Sequence, residues 1–226
     1  MDDSRTRMVL GDEGTDQLKN AHVAVFGLGG VGGFACEALA RAGVGELTLV
    51  DFDRVDASNI NRQIIALTST VGELKTDVME VRIRDINPDA NLHMKPVFYM
   101  PDEPHGIDFA QFDYVLDCVD TVKAKLGIIE SAQAAGVPVI SAMGAGNKIH
   151  PERFEIMDVF KTTGDPLARV IRHECRKRGI RKLKVVCSPE APMKIKGERT
   201  PGSLSFVPSV MGLLMAGEVI RSLAGK

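Results

Sequence analysis

The chain has 226 residues, 44% of them hydrophobic, and a formal net charge of −2, enough to bury a sizeable core as one domain. No apolar run approaches the ~20 residues of a membrane span, and the charged start Met1-Asp2-Asp3-Ser4-Arg5 is unlike a signal peptide, so no membrane partner is expected. Cys36, Cys118, Cys175 and Cys187 form no regular framework, so a reducing, cytoplasmic setting is expected.

His22 to Phe26 is a short β-rich run, and Val31 to Ala42 carries helical apolar spacing. Between them, Gly27-Leu28-Gly29-Gly30-Val31-Gly32 is a glycine-rich strand-to-helix turn. Such a turn lets backbone N–H groups approach phosphates at a helix N-terminus. The next strand, 46–51, ends at Asp51, roughly twenty residues past the last glycine, where a carboxylate usually binds ribose hydroxyls. These features alone equally describe an NAD-binding Rossmann unit. Further strands are predicted at 91–97, 113–118 and 137–142, with helices near 73–86 and 121–135. This alternation implies an α/β, Rossmann-like fold, a mostly parallel sheet wrapped by helices.

The second half reads differently: strand 154–160, helix 165–178, strand 183–188, a polar loop 189–203 and a final helix 208–223. It is expected to add a mixed or antiparallel part to the same single domain. Residues 1–146 are then the nucleotide-binding half and 147–226 the substrate-facing half. In the final helix, Val210 to Ala216 is apolar nearly all round, which suits the interior or a dimer interface. A membrane anchor fits poorly, because the apolar stretch is short and Glu218 and Arg221 follow at once.

Arg62, Lys75 and Asp120 move the reading from NAD to ATP. A dehydrogenase displaces nothing from phosphorus, whereas attack on the α-phosphate needs cations for the charge that builds there. It also needs a carboxylate for magnesium, and Asp120 follows the apolar strand Tyr114 to Leu116, at the sheet edge where ligands bind in open α/β folds. Singly, Arg62 and Lys75 read as surface charges and Asp120 as a helix N-cap; their joint spacing is harder to explain so.

Gly-x-Gly-Gly-x-Gly, Asp51-x-Asp53, Ser58-Asn59-x-x-Arg62-Gln63, Lys75 after Val71-Gly72, and Asp117-Cys118-x-Asp120 resemble the ubiquitin-activating-enzyme-like (ThiF) superfamily. Its members adenylate carboxylates with ATP and magnesium. The resemblance implies that Asp51 binds ribose, that Asn59, Arg62 and Lys75 bind phosphates, and that Asp120 holds magnesium. Gly27, Gly29, Gly30, Gly32, Asp53, Ser58, Gln63 and Thr121 complete the implied nucleotide site. Arg7, before Val9-Leu10-Gly11, matches an arginine that reaches across a homodimer into the partner's site.

Branches that activate sulfur-carrier proteins commonly hold zinc on two Cys-x-x-Cys pairs. This chain has none, and its five histidines do not cluster in sequence, so no zinc is expected. Cys36 and Cys118 read as buried small apolar residues. Cys187 precedes Ser188-Pro189-Glu190 and is a weak candidate nucleophile, since a reactive thiol needs a neighbouring base or positive charge.

Residues 161–199 hold twelve Lys or Arg against four Asp or Glu, a balance of +8 that leaves the rest at −10 (16 basic, 26 acidic). Arg169, Arg172, Arg176, Lys177, Arg178, Arg181, Lys182 and Lys184 form its densest part, a nucleic-acid footprint or else a solvated helix face. Gly144 to Pro151, Met157 to Thr162, Asp165 to Ala168 and Val186 to Glu190 look like the bacterial tRNA threonylcarbamoyladenosine dehydratases. That resemblance implies ATP-dependent cyclisation of the modified adenosine beside the anticodon, through adenylation of its threonyl carboxylate. The implied partners are tRNA carrying that nucleoside, a second copy of the chain and, less directly, a sulfur-transfer protein. The alternatives are an adenylyltransferase for the C-terminal glycine of a ubiquitin-like sulfur carrier, and an NAD-binding Rossmann protein.

Overall fold

A computed structural model of the chain describes residues 1–194, 197 and 200–226. Its helices are α1 (Ser4–Asn20), α2 (Gly32–Ala42), α3 (Lys75–Ile86), α4 (Val122–Ala134), α5 (Pro166–Lys177) and α6 (Phe206–Leu223). The strands are β1 (His22–Phe26), β2 (Glu46–Val50), β3 (Asn91–Lys95), β4 (Tyr114–Asp117), β5 (Val139–Ala142), β6 (Glu155–Asp158) and β7 (Lys184–Cys187). They form one seven-stranded sheet in the order β3-β2-β1-β4-β5-β7-β6. All neighbours are parallel except β6, which runs antiparallel to β7 at the edge. The second half therefore extends the first half's sheet: β7 adds to β5 in parallel, and the antiparallel part is a single edge strand.

Alternation along β1 builds a core on each face of the sheet. Val23 and Val25 face the side covered by α2, α3 and α6, with Leu39, Met79, Ile83, Met211 and Met215 in that cluster. Ala24 and Phe26 face α4 and α5, against Ile128, Ile129, Ala132, Ile171 and Cys175. Asp165 starts α5 by accepting from the N–H of Ala168 at 2.8 Å, with Pro166 next.

Helix α1 has no counterpart among the sequence-predicted elements. Only Gly14, Thr15 and Leu18 are buried on it, and Gly11 (φ 79°) interrupts it with non-helical backbone, so it carries no apolar period to read. Helix α6 begins at Phe206 rather than 208, and its 18 residues are long and apolar enough to cross a membrane, contrary to the short stretch expected. Its apolar residues are instead used inside the fold: Val207, Met211, Met215, Ala216 and Val219 are buried in the α2–α6 core. At Gly212 a Cβ would overlap the carbonyl oxygen of Val31, so the glycine lets α6 lie directly on the start of α2.

Candidate active site

The strand order reverses between β1 and β4, and the crevice beyond the carboxyl ends of such strands is where open α/β sheets bind ligands. A cleft of about 570 Å³ lies there. Gly27, Gly29 and Gly30 form its floor, Asp51, Asp53, Asn59, Arg62, Gln63 and Lys75 one wall, and Asp120 and Thr121 another. Gly27 has φ +88°, and a Cβ there would stand 2.9 Å from the Cys118 carbonyl oxygen, so the turn can pass beside β4 only with glycine. Gly32 does not line the cleft; a Cβ on it would overlap the Gly27 carbonyl, which makes it a packing glycine behind the turn.

Asp51 ties the turn to the end of β2. Its Oδ2 accepts from the Leu28 N–H (2.6 Å) and its Oδ1 from the Asp53 N–H (2.8 Å). Burial raises its carboxyl above the usual range, while Lys75 and the two N–H donors pull the other way. Lys75 is 4% exposed and donates to Asp53 Oδ2 at 2.8 Å, which leaves ammonium donors for a ligand. Arg62 Nη1 donates to the Ser58 carbonyl and Asn61 Oδ1, both at 2.8 Å, leaving Nε and Nη2 for a ligand. Ser58 itself does not line the cleft and acts through Arg62. Buried Asn59 accepts from the Asp56 N–H through Oδ1 and fixes the same short turn.

Gln63 is 8% exposed and its Oε1 has no hydrogen-bond partner among the described residues. An orphaned buried acceptor on a cleft wall is the polar group that a bound ligand would satisfy. Asp120 is exposed, and Thr121, not Asp120, precedes the first turn of α4, without a side-chain cap. The bland reading of Asp120 as a helix cap therefore falls. Below it, Asp117 is fully buried; its Oδ2 accepts from Lys125 Nζ (2.8 Å) and Ser141 Oγ (2.6 Å), anchoring the loop that carries Asp120.

Sequence reasoning missed several wall residues. Phe52 and Phe98 meet edge-to-face at 4.6 Å at the cleft, each partly exposed, and Arg54 joins Arg62 on the wall. Thr200 to Ser203 and Pro208 close the far side. Asn147, at φ 56°, holds that side by accepting from the Gly202 N–H at 2.6 Å.

Other expected residues lie elsewhere. Arg7 does not line the cleft; its guanidinium donates to Asp3, Asp12 and Asp16 of its own N-terminal segment. Cys187 ends β7 outside the cleft, 1% exposed, and burial pushes its thiol up to about 11, so the nucleophile reading has no support. In the basic stretch, Arg172 donates to Thr162, Arg178 to both oxygens of Glu130, and Lys184 to Glu218. Arg176 lies over the Phe160 ring and Lys177 is 3.5 Å from Glu174. Arg169, Arg181 and Lys182 are exposed and have no ion pair among the described residues. Helix α5 also runs away from the cleft end of the sheet, so the residues from Arg176 to Lys184 lie about 18 Å down its length, by the amino ends of the strands.

The ThiF family matches residues 4–226, nearly the whole chain. The chain belongs to the ThiF family. Within it, the chain is similar to the tRNA threonylcarbamoyladenosine dehydratase of Bacillus subtilis (strain 168), 44% identical over 237 aligned positions covering 97% of this chain and 93% of that one. It is also similar to the crystal structure of E. coli tRNA N6-threonylcarbamoyladenosine dehydratase, TcdA, in complex with AMP: TM-score 0.92, 32% identity, 98% of this chain and 93% of that chain. The same E. coli protein in complex with ATP superposes with a TM-score of 0.90 at 32% identity, covering 99% and 93%. The match spans the glycine-rich turn and α6 alike.

Proposed function

We propose that this chain is an ATP-dependent tRNA threonylcarbamoyladenosine dehydratase that adenylates the threonyl carboxylate of its nucleoside and lets the ring close. The observation that carries the reading is the convergence of Arg62, Lys75 and Asp120 on one glycine-floored cleft, in a chain 44% identical to a relative of that name. The ATP complex of the E. coli relative supports the choice of nucleotide.

In this reading the triphosphate lies over Gly27 to Gly30, and Asp51 and Gln63 take the ribose hydroxyls. The threonyl carboxylate attacks the α-phosphorus, the bond to the β-phosphate oxygen breaks, and pyrophosphate leaves. Arg62 and Lys75 stabilise the charge on the transferring and leaving groups from positions fixed by Ser58 and Asp53. Asp120, an exposed carboxylate beside the Thr121 hydroxyl, offers the hard oxygen donors that magnesium selects. Magnesium held there would supply charge neutralisation on the phosphates. A nucleophile within the same modified side chain then attacks the acyl carbon and expels AMP, with net loss of one water from the nucleoside. Because that step is intramolecular, proximity favours it and no cysteine relay is needed.

The same reading makes 147–226 the substrate-facing half, with tRNA phosphates running along α5 to Arg169, Arg181 and Lys182. It places the enzyme in the cytoplasm as a homodimer. Arg7 would reach the partner's cleft, an arrangement favoured by the exposed Met8 and Val9 beside it (83% and 79%). A sulfur-transfer protein is a further partner of this reading, and a cysteine-held zinc is not part of it.

The test is ATP–pyrophosphate exchange with magnesium, with and without tRNA carrying threonylcarbamoyladenosine, followed by nucleoside mass analysis. The expected outcome is tRNA-dependent exchange and a product lighter by one water. Exchange that ignores tRNA and responds to a Gly-Gly-tailed carrier protein would overturn the reading in favour of a sulfur-carrier adenylyltransferase.

A further inference from the structure

Parallel pairing brings together side chains far apart in sequence at the end of the sheet opposite the cleft. The register sets His22 of β1 beside Glu46 of β2, and Thr48 of β2 beside His93 of β3. Registered neighbours share a face, so His22, Glu46, Thr48 and His93 all project to the same side. The ligand atoms of His22, Glu46 and His93 lie within 4.8 Å of one another, a grouping unique among the described residues. His22 Nδ1 is 3.6 Å from Glu46 Oε1, and His93 Nε2 is 2.6 Å from the same oxygen. The three side chains are 12%, 35% and 42% exposed, so the group is partly sunk yet open to solvent on one side.

We propose that His22, Glu46 and His93 form a site for one zinc ion, clipping the starts of β1 and β2 to the middle of β3. Two imidazoles and a carboxylate are a donor set that zinc takes readily, with water in the fourth position. Tetrahedral zinc with Zn–N near 2.0 Å sets its ligand atoms about 3.3 Å apart. The gap from His22 to Glu46 already matches that spacing, and the shorter one from His93 opens to it as the hydrogen bond is replaced by metal ligation. The outer contacts suit this arrangement. His22 Nε2 is 2.8 Å from Thr48 Oγ1; with Nε2–H donated to that hydroxyl, Nδ1 turns its lone pair toward Glu46. Phe112 packs edge-on against the His22 ring at 4.9 Å and holds its plane. The Asn91 amide, 3.2 Å from His93 Nε2, competes for the same lone pair, and zinc ligation through Nε2 requires it to turn aside into solvent.

The proposal is independent of the tRNA reading and revises the expectation that the chain takes no zinc, which rested on cysteine pairs and on histidine spacing along the sequence. Strand β3 is the edge of the sheet, five residues long and paired on one side only, so a metal bridge from the middle of β3 to β1 and β2 would hold that edge in place. The oxygen-based magnesium position at Asp120 lies beyond the opposite ends of the strands, so the two metals would not compete.

The experiment uses the full chain, stripped with chelator and dialysed against ZnCl2 without nucleotide, reading zinc per chain and melting temperature. The expected result is one zinc per chain and a rise in melting temperature of about 5–10 °C at a hundredfold excess over Kd. His93→Ala and Glu46→Gln, both changes at partly exposed side chains, should each weaken uptake at least tenfold, and Asp120→Ala should leave it unchanged. Absence of stoichiometric uptake by the unmodified chain overturns the proposal without recourse to any variant. Uptake that persists in both His93→Ala and Glu46→Gln, or that disappears in Asp120→Ala, overturns it as well.

Discussion

Asp120 and Lys75 face the same cleft from opposite electrostatic surroundings, the first open to water and the second 4% exposed beside Asp53. Replacing Asp120 by Ala should therefore leave the urea midpoint in place and lower pyrophosphate release by at least about 10²-fold, as loss of a preorganised charge at phosphorus does. Lys75→Ala should cut turnover similarly, and near-normal turnover in either variant would remove these residues from the chemistry. Cys187→Ser should keep full turnover. Burial raises the Cys187 thiol from 9.0 in the unfolded chain to about 11. Its contribution to stability is thus complete below about pH 9 and is lost as the pH rises toward 11. Iodoacetamide should leave this thiol unmodified at pH 8, and rapid labelling there would contradict the burial. The motif residues of the cleft were legible because each serves a local turn or strand end. The fates of Arg172, Arg178 and Lys184 were not, because their partners stand 10, 48 and 34 residues away and only the fold selects them.

Among the elements, the contact of α6 with α2 sets the shape of the glycine-rich turn. A Cβ on Gly212 would press on the Val31 carbonyl at the start of α2, so Gly212→Ala should cost about 1–3 kcal/mol of stability. It should also weaken ATP binding without touching any polar group of the cleft, as thermal melts with and without ATP would report. An unchanged melting temperature would mean that the helices part at little cost. The alternating strands and helices were readable from period alone, to within a few residues at their ends. Helix α1 was not: its buried side is two small residues and one leucine, and its glycines look like a loop. The pairing of β7 with β5 was equally hidden, since a short apolar strand does not name its neighbour.

Across the whole molecule, charge and chemistry are divided between the two ends of the sheet. The cleft holds the cations expected at phosphorus, while Arg181 and Lys182 lie toward the far end of α5. If tRNA runs along that helix, replacing Arg169, Arg181 and Lys182 together by Ala should lower the salt slope of tRNA binding by about 2–3. ATP–pyrophosphate exchange at saturating tRNA should persist. An unchanged slope would assign those cations to solvent. The net positive balance of the segment was plain in the sequence. Its partial neutralisation by Glu130 and Glu218 was not, because those acids sit on α4 and α6 and meet the cations only after packing, unlike Glu174, which pairs with Lys177 at i,i+3 on α5 itself.

Pro208, near the beginning of α6, stands against Gly30 and forms part of the cleft wall. The cleft is therefore sealed by a segment far downstream of the motifs that name it, all of which lie within the first 120 residues. A nascent chain that has just delivered Asp120 already displays the whole fingerprint and still lacks the enclosure. A ligand of the cleft would then reward only a chain whose α6 is already in place, and would act as a late inspector of assembly and not as a template for it.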